Sequence, residues 1–128
     1  MGGVMDTRFT DHGDGTITDI ETGLTWLKDA NHFKTSMVWD EAIKACVALG
    51  DGWRLPEIKE LLSLIDYSQY NPALPQGHPF EKVQSAYYWS ATTGAGGTHG
   101  AWVVYMGFGY VNYGTKAYYD YYVWPVRG

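Results

Sequence analysis

Two apolar stripes at helical spacing, set between glycine-punctuated runs that favour extended backbone, constrain this chain more than any other feature. Trp39, Ala42, Ile43 and Cys46 fall at i, i+3, i+4 and i+7, which puts them on one side of a helix. Ser36 is placed to cap that helix and Gly50 and Gly52 to end it, so the expected span is Ser36 to Leu49. Ile58, Leu61, Leu62 and Ile65 repeat the spacing. Pro56 suits a first helical position and Glu57 and Glu60 complement the dipole, which predicts a second helix over Glu57 to Ile65.

Before the helices, Arg8-Phe9-Thr10, Thr16-Ile17-Thr18 and Leu24-Thr25-Trp26-Leu27 are separated by turn-forming Asp and Gly residues. After them come Tyr87 to Ala91, Ala101 to Val104, Gly109 to Val111 and Tyr122 to Val126, again with glycines between. Strands, two helices, then strands predict an α+β fold with the helices packed on antiparallel sheets. A last strand pairing with an early one would bring the termini together. The helices are expected on the sheet that holds this last strand. Trp26, Trp39, Trp53, Trp89 and Trp102 have apolar neighbours and are expected in the core.

The chain of 128 residues fits one domain, residues 1–128, with no internal repeat or linker to divide it. A net charge of -5 gives no footprint for a phosphate backbone, so nucleic acid is not expected as a partner. No apolar run approaches the roughly 18 residues of a membrane span, and membrane insertion is not expected. The opening Met1-Gly2-Gly3-Val4 does not resemble a signal peptide. Cys46 is the only cysteine, which excludes an intradomain disulfide. On the helical stripe it reads as a small core hydrophobe. His12, His32, His78 and His99 are scattered, so neither a metal site nor another cofactor is expected.

Several motifs in order carry a resemblance. They are Asp14-Gly15-Thr16-Ile17-Thr18-Asp19, Thr22-Gly23-Leu24-Thr25-Trp26 and Gly52-Trp53-Arg54-Leu55-Pro56 with Glu60-Leu61. Tyr88-Trp89-Ser90-Ala91-Thr92, Ala101-Trp102 and Val126-Arg127-Gly128 complete the set. Together, from about Arg8 to Gly128, they resemble the Lcl C-terminal domain-like family, named for the C-terminal domain of a collagen-like adhesin. The resemblance implies a C-type-lectin-like fold on an extracellular, cell-surface or virion-surface protein, and in some members binding of sulfated polysaccharides. Two departures stand out. Pro125 occupies the place where relatives often carry a second cysteine, and the acidic charge opposes a glycosaminoglycan-binding basic patch. The Glu-Pro-Asn or Gln-Pro-Asp loop of calcium-dependent lectins does not occur either.

Many relatives carry asparagines where this chain has Tyr105, Gly107, Phe108, Tyr110, Asn112, Tyr113, Gly114, Thr115, Ala117, Tyr118, Tyr119, Asp120 and Tyr121. All these residue types are reachable from an asparagine codon by changing adenines. The stretch thereby resembles the variable proteins of diversity-generating retroelements.

Seven of the eleven tyrosines lie between Tyr105 and Tyr122, too many for a core. On strands, neighbours such as Tyr118 and Tyr119 would point to opposite faces, leaving about half exposed. Tyrosine among Gly, Thr, Asn and Asp is the composition of binding surfaces. The expected ligand-binding residues are Thr98, His99, Tyr105, Gly107, Phe108, Tyr110, Asn112, Tyr113, Thr115, Tyr118, Tyr119, Asp120 and Tyr121. The expected partner is a protein or glycan on another cell or surface. An oligomer-forming structural module is the remaining reading of the same tyrosines, and the oligomeric state is open. No catalytic residue is expected. Asp11, Asp14, Asp19 and Glu21 read as solvated turn residues, and Ser90 lacks a nucleophile-elbow pattern.

Overall fold

The computed structural model describes residues 8–128. Met1 to Val4, with the reading of them as no signal peptide, lie outside the described residues, as does the N-terminal end expected beside the C-terminus. In chain order the elements are β1 (Phe9–Asp11), β2 (Thr16–Asp19), β3 (Leu24–Leu27), α1 (Trp39–Ala48) and α2 (Ile58–Ser63). Then follow β4 (Tyr87–Thr93), β5 (Gly100–Tyr105), β6 (Val111–Thr115) and β7 (Val126–Arg127). The fold is α+β with two antiparallel sheets. One has the order β1-β2-β3-β7 and the other β4-β5-β6. The last strand thus returns to the sheet that the first strands build, pairing Val126 with Trp26.

The helices lie closest to β4 and β5, and the sheet that contains β7 meets them only through the core that α2 shares with Trp26 and Val126, so the sequence expectation holds for α2 alone. Alternation along β4 and β5 explains this. Trp89, Ala101 and Val103 belong to a cluster with Ala42 and Cys46 of α1. Tyr88 and Val104 point the other way, into a second cluster with Leu61 and Leu64 of α2 and with Trp26, Trp124 and Val126. β4 and β5 are therefore covered on both faces by a core, while β6 at the sheet edge is largely exposed.

The helices start later than their sequence signals. Ser36 does not cap α1; Val38 holds that position, with no side-chain cap. Met37 pairs instead with Tyr121 in a two-way backbone bridge, 3.0 and 3.1 Å, which keeps the chain extended there. α2 begins with a reciprocal capping box between Glu57 and Glu60, the Glu57 N–H donating to Glu60 Oε1 at 2.8 Å.

Arg54 joins α2 to the last strand. Its guanidinium grips both Glu60 oxygens at 2.7 and 2.8 Å and reaches the Gly128 carbonyl at 3.2 Å. Its backbone exchanges bonds with Val126 at 2.9 and 3.0 Å. This Arg54 contact holds Glu60 below the ordinary carboxylate range. The Gly-Trp-Arg-Leu-Pro and Val-Arg-Gly motifs are thus two halves of one clip.

Trp26, Trp53 and Trp89 are buried as expected. Trp39 and Trp102 are only partly buried, each forming the edge of a cluster or a surface pair. Cys46 is fully enclosed, and burial pushes its thiol up to about 12. At mildly alkaline pH a thiol-specific reagent is expected to leave Cys46 unmodified in the folded chain and to react once urea unfolds it. Prompt labelling of the folded chain would contradict the burial.

Candidate functional site

Residues 83–115 contain no Asp, Glu, Lys or Arg, and Ala117 to Val126 contain only Asp120. The segment spans β4, β5 and β6, so one sheet presents an uncharged, aromatic-rich surface. Where it is not covered by α1, that surface carries a run of touching rings. Tyr87 and Tyr105 face each other across β4 and β5, with centroids 5.2 Å apart. Tyr105 lies nearly parallel to Tyr110 at 5.0 Å. Tyr110 is near-parallel to Phe108 at 6.5 Å, and Phe108 to Tyr70 at 6.4 Å. In the other direction Tyr87 meets Tyr121 at 5.3 Å, Tyr121 meets Tyr119 at 5.7 Å, and Tyr119 meets Tyr118 at 5.5 Å. The result is a continuous aromatic ribbon from Tyr70 to Tyr118.

The ribbon is firm at its centre and open at its ends. Tyr121 packs on buried Trp89 at 4.7 Å, and burial pushes its hydroxyl pKa up. Asn112 braces Tyr87 by donating from Nδ2 to its hydroxyl at 3.1 Å, while Asn112 Oδ1 accepts the Tyr113 N–H at 2.8 Å. Tyr118 is 81% exposed and Tyr70 71%, with Phe108, Tyr110 and Tyr119 near one half. Such rings offer contact area on a rigid base with few rotatable bonds to order.

The thirteen residues expected from the sequence do not form one site. Tyr105, Phe108, Tyr110, Asn112, Tyr118, Tyr119 and Tyr121 belong to the ribbon or brace it. Gly107 is buried beneath the Tyr105 ring and lends only its backbone, its carbonyl accepting from the Asn71 N–H at 2.7 Å. Tyr118, Tyr119 and Asp120 lie in the loop after β6, not on a strand, so the opposite-face rule does not apply and the two rings touch. Asp120 is exposed there.

Tyr113 and Thr115 alternate with Asn112 and Gly114 along β6 and so occupy the opposite face. Tyr113 pairs with Trp102 at 5.3 Å and lies over Gly94 and Gly100, where a Cβ would collide with its ring. Its hydroxyl donates to the Gly97 carbonyl at 3.3 Å. Tyr113 is therefore a strap over the β4–β5 loop, which carries exposed Thr98 and His99. The His99 carbonyl accepts the Lys116 N–H at 2.8 Å, which ties this loop to the end of β6.

Tyr67, Tyr70 and Tyr87 join this surface without having been expected from the sequence. Tyr67 and Tyr70 sit in the loop after α2, held near the ribbon because the Ala73 N–H donates to the Met106 carbonyl at 2.8 Å. Two tyrosines in a polar, proline-bounded stretch, Asp66-Tyr67-Ser68-Gln69-Tyr70-Asn71-Pro72, were the available signal.

A concavity of about 460 Å³ lies apart from the ribbon and is lined by none of its residues. Its wall includes Asp14, Lys28, Asp29, Trp53, Glu81 and Arg127. These charges are largely engaged: Lys28 Nζ meets Asp11 at 2.9 Å and Glu81 at 3.7 Å, and Arg127 lies 4.5 Å over the Trp53 ring. Asp19 is not a solvated turn residue. It is fully buried and gripped by Arg8 at 2.9 and 3.1 Å. Ser90 is buried too, its hydroxyl donating to the Trp102 carbonyl at 2.7 Å. Among the described residues, no three His, Cys, Asp or Glu side chains gather as a metal set.

A family model, the Lcl C-terminal domain, matches residues 15–127. The chain belongs to the Lcl C-terminal domain family. Membership gives the domain an adhesin-like character, consistent with a surface location. Nothing among curated proteins or solved structures matches it. No described helix is long and apolar enough to cross a membrane.

Proposed function

We propose that this Lcl C-terminal domain is a non-enzymatic, surface-exposed adhesion module of C-type-lectin-like fold that holds a protein or glycan ligand on its aromatic ribbon. The observation that carries the reading is the ribbon itself. Eight rings touch in sequence from Tyr70 to Tyr118, and five of them are half exposed or nearly so. A monomer's surface rarely holds so much contiguous aromatic area without a partner. Its location fits an extracellular, cell-surface or virion-surface domain. The exposed ribbon rings Tyr70, Phe108, Tyr110, Tyr118 and Tyr119 belong to neither core cluster, which suits diversification by a retroelement. A glycosaminoglycan is the poorer ligand, because the ribbon segments carry no cation.

The test is substitution at the open end. Replacing Tyr118 and Tyr119 with Ser is expected to change stability by no more than about 0.5 kcal/mol each. The same changes are expected to weaken attachment of the purified domain to its target surface by about 1–2 kcal/mol for each hot-spot ring. Unchanged attachment with lost stability would place the ligand elsewhere. Sedimentation of the same variants addresses the structural-module reading. If the wild type self-associates and Tyr118→Ser makes it monomeric, the ribbon is a subunit contact.

A further inference from the structure

We infer that the ribbon's natural occupant is a basic protein segment whose arginine and lysine side chains seat against the tyrosine rings. This rests on the ribbon being the binding surface, and it adds the chemistry of the partner.

The charge pattern points that way. The rings come from residues 66–72, from the uncharged stretch 83–115, and from 117–122. Those segments contribute two carboxylates, Asp66 and Asp120, and no Lys or Arg. The two cations that fall between these segments are both engaged: Lys116 Nζ donates to the Thr93 hydroxyl at 2.9 Å and sits 4.0 Å over the Trp39 ring, and Lys82 Nζ lies 3.8 Å from Asp29. The whole chain adds a net charge of -5. An anionic partner would meet repulsion and find no cation to pair with. A cationic one would find ring faces, whose quadrupole attracts positive charge, together with two carboxylates beside them. The domain already uses this contact internally, with Arg8 over Phe9 at 4.8 Å, Lys116 over Trp39 and Arg127 over Trp53. Tyr70 and Tyr118, the most exposed rings of the ribbon, stand at its two ends, so an extended segment laid along it would meet both.

The probes are soluble peptides identical except at their charged positions, which carry arginine, the neutral isostere citrulline, or glutamate. A neutral glucose hexasaccharide is the fourth probe. Binding is read from tyrosine ring signals by NMR and from calorimetry, at low salt and at high salt. The arginine peptide is expected to bind at least about tenfold tighter than the citrulline peptide, with the advantage shrinking at high salt. The glutamate peptide is expected not to bind. Tyr70→Ser and Tyr118→Ser are expected each to weaken the arginine peptide several-fold while leaving the folded spectrum intact. Equal binding of the arginine and citrulline peptides, or tighter binding of the hexasaccharide on the same rings, would overturn the basic partner and keep the ribbon as the site. Probe signals that move away from the ribbon rings, or no binding by any probe, would overturn the inference. If attachment to the natural surface then also survives Tyr118→Ser, the functional reading falls with it.

Discussion

Replacing Trp124 with Ala is expected to destabilise the domain by about 3–5 kcal/mol, as large a loss as a single truncation gives. Trp124 is fully buried at the seam between the two sheets. Its ring meets Phe80 at 4.9 Å, Trp26 at 5.3 Å and Tyr88 at 5.8 Å, so it touches the first sheet, the second sheet and the segment after α2. Its indole N–H donates to the Leu27 carbonyl at 2.8 Å, and truncation would leave that acceptor unpaired in the core. Domains of this size are stable by about 5–15 kcal/mol, so the variant would stand near the folding threshold. Urea denaturation should show a lower midpoint at unchanged slope. Trp102→Ala is the control: that ring is half-buried and packs mainly on Tyr113, so its loss should be clearly smaller. A loss under about 1 kcal/mol at Trp124 would contradict its place at the seam.

The helices were legible because apolar residues recurring every third and fourth position over two turns fit a helix and do not fit a strand. Both helices lie where Trp39 to Cys46 and Ile58 to Ile65 put them. Their starts were less legible, because a partner distant in sequence, Tyr121, holds Met37 extended. The final strand is shorter than its composition predicts. Tyr122 to Val126 is rich in strand-forming residues, but Pro125 lacks an N–H and only Val126–Arg127 remains in the ladder. The tyrosine surface is visible in the sequence as a concentration between Tyr105 and Tyr122, while its division is not. The turn at 106–109 sets which parity of β6 faces which side, and that turn sends Asn112 to the ribbon and Tyr113 to the strap. Tyr70 joins from another loop through tertiary contact, which local sequence does not encode. Trp124 stands outside the five tryptophans expected in the core, yet it lies beside Pro125 in an apolar run, and that setting favours burial.

Asp19 departs from its turn reading for a related reason, and it supplies the other large effect. Asp19→Ala is expected to destabilise the domain by about 3–5 kcal/mol. Placed after Ile17 at strand spacing, Asp19 shares the inward face of β2, and its side chain is 0% exposed. Arg8 binds both carboxylate oxygens, and the Glu21 N–H donates to Oδ1 at 3.0 Å, closing the β2–β3 turn. Arg8 also donates to the Ser63 carbonyl at the end of α2, so the carboxylate fixes a guanidinium that links the first strand to a helix. Removing it would take away the bidentate partner of a mostly buried guanidinium, with 16% side-chain exposure, leave Glu21 at 3.6 Å as a more exposed and more distant carboxylate, and free a turn N–H. Asp11→Ala provides the contrast within the same hairpin. Its pair with Lys28 is also 2.9 Å long but lies at the surface, where water and salt screen it, so its loss is expected to cost far less. Equal losses for the two variants would show that distance rather than burial sets the strength of these pairs. A several-fold difference in favour of Asp19, measured by urea unfolding at neutral pH, is the expected result.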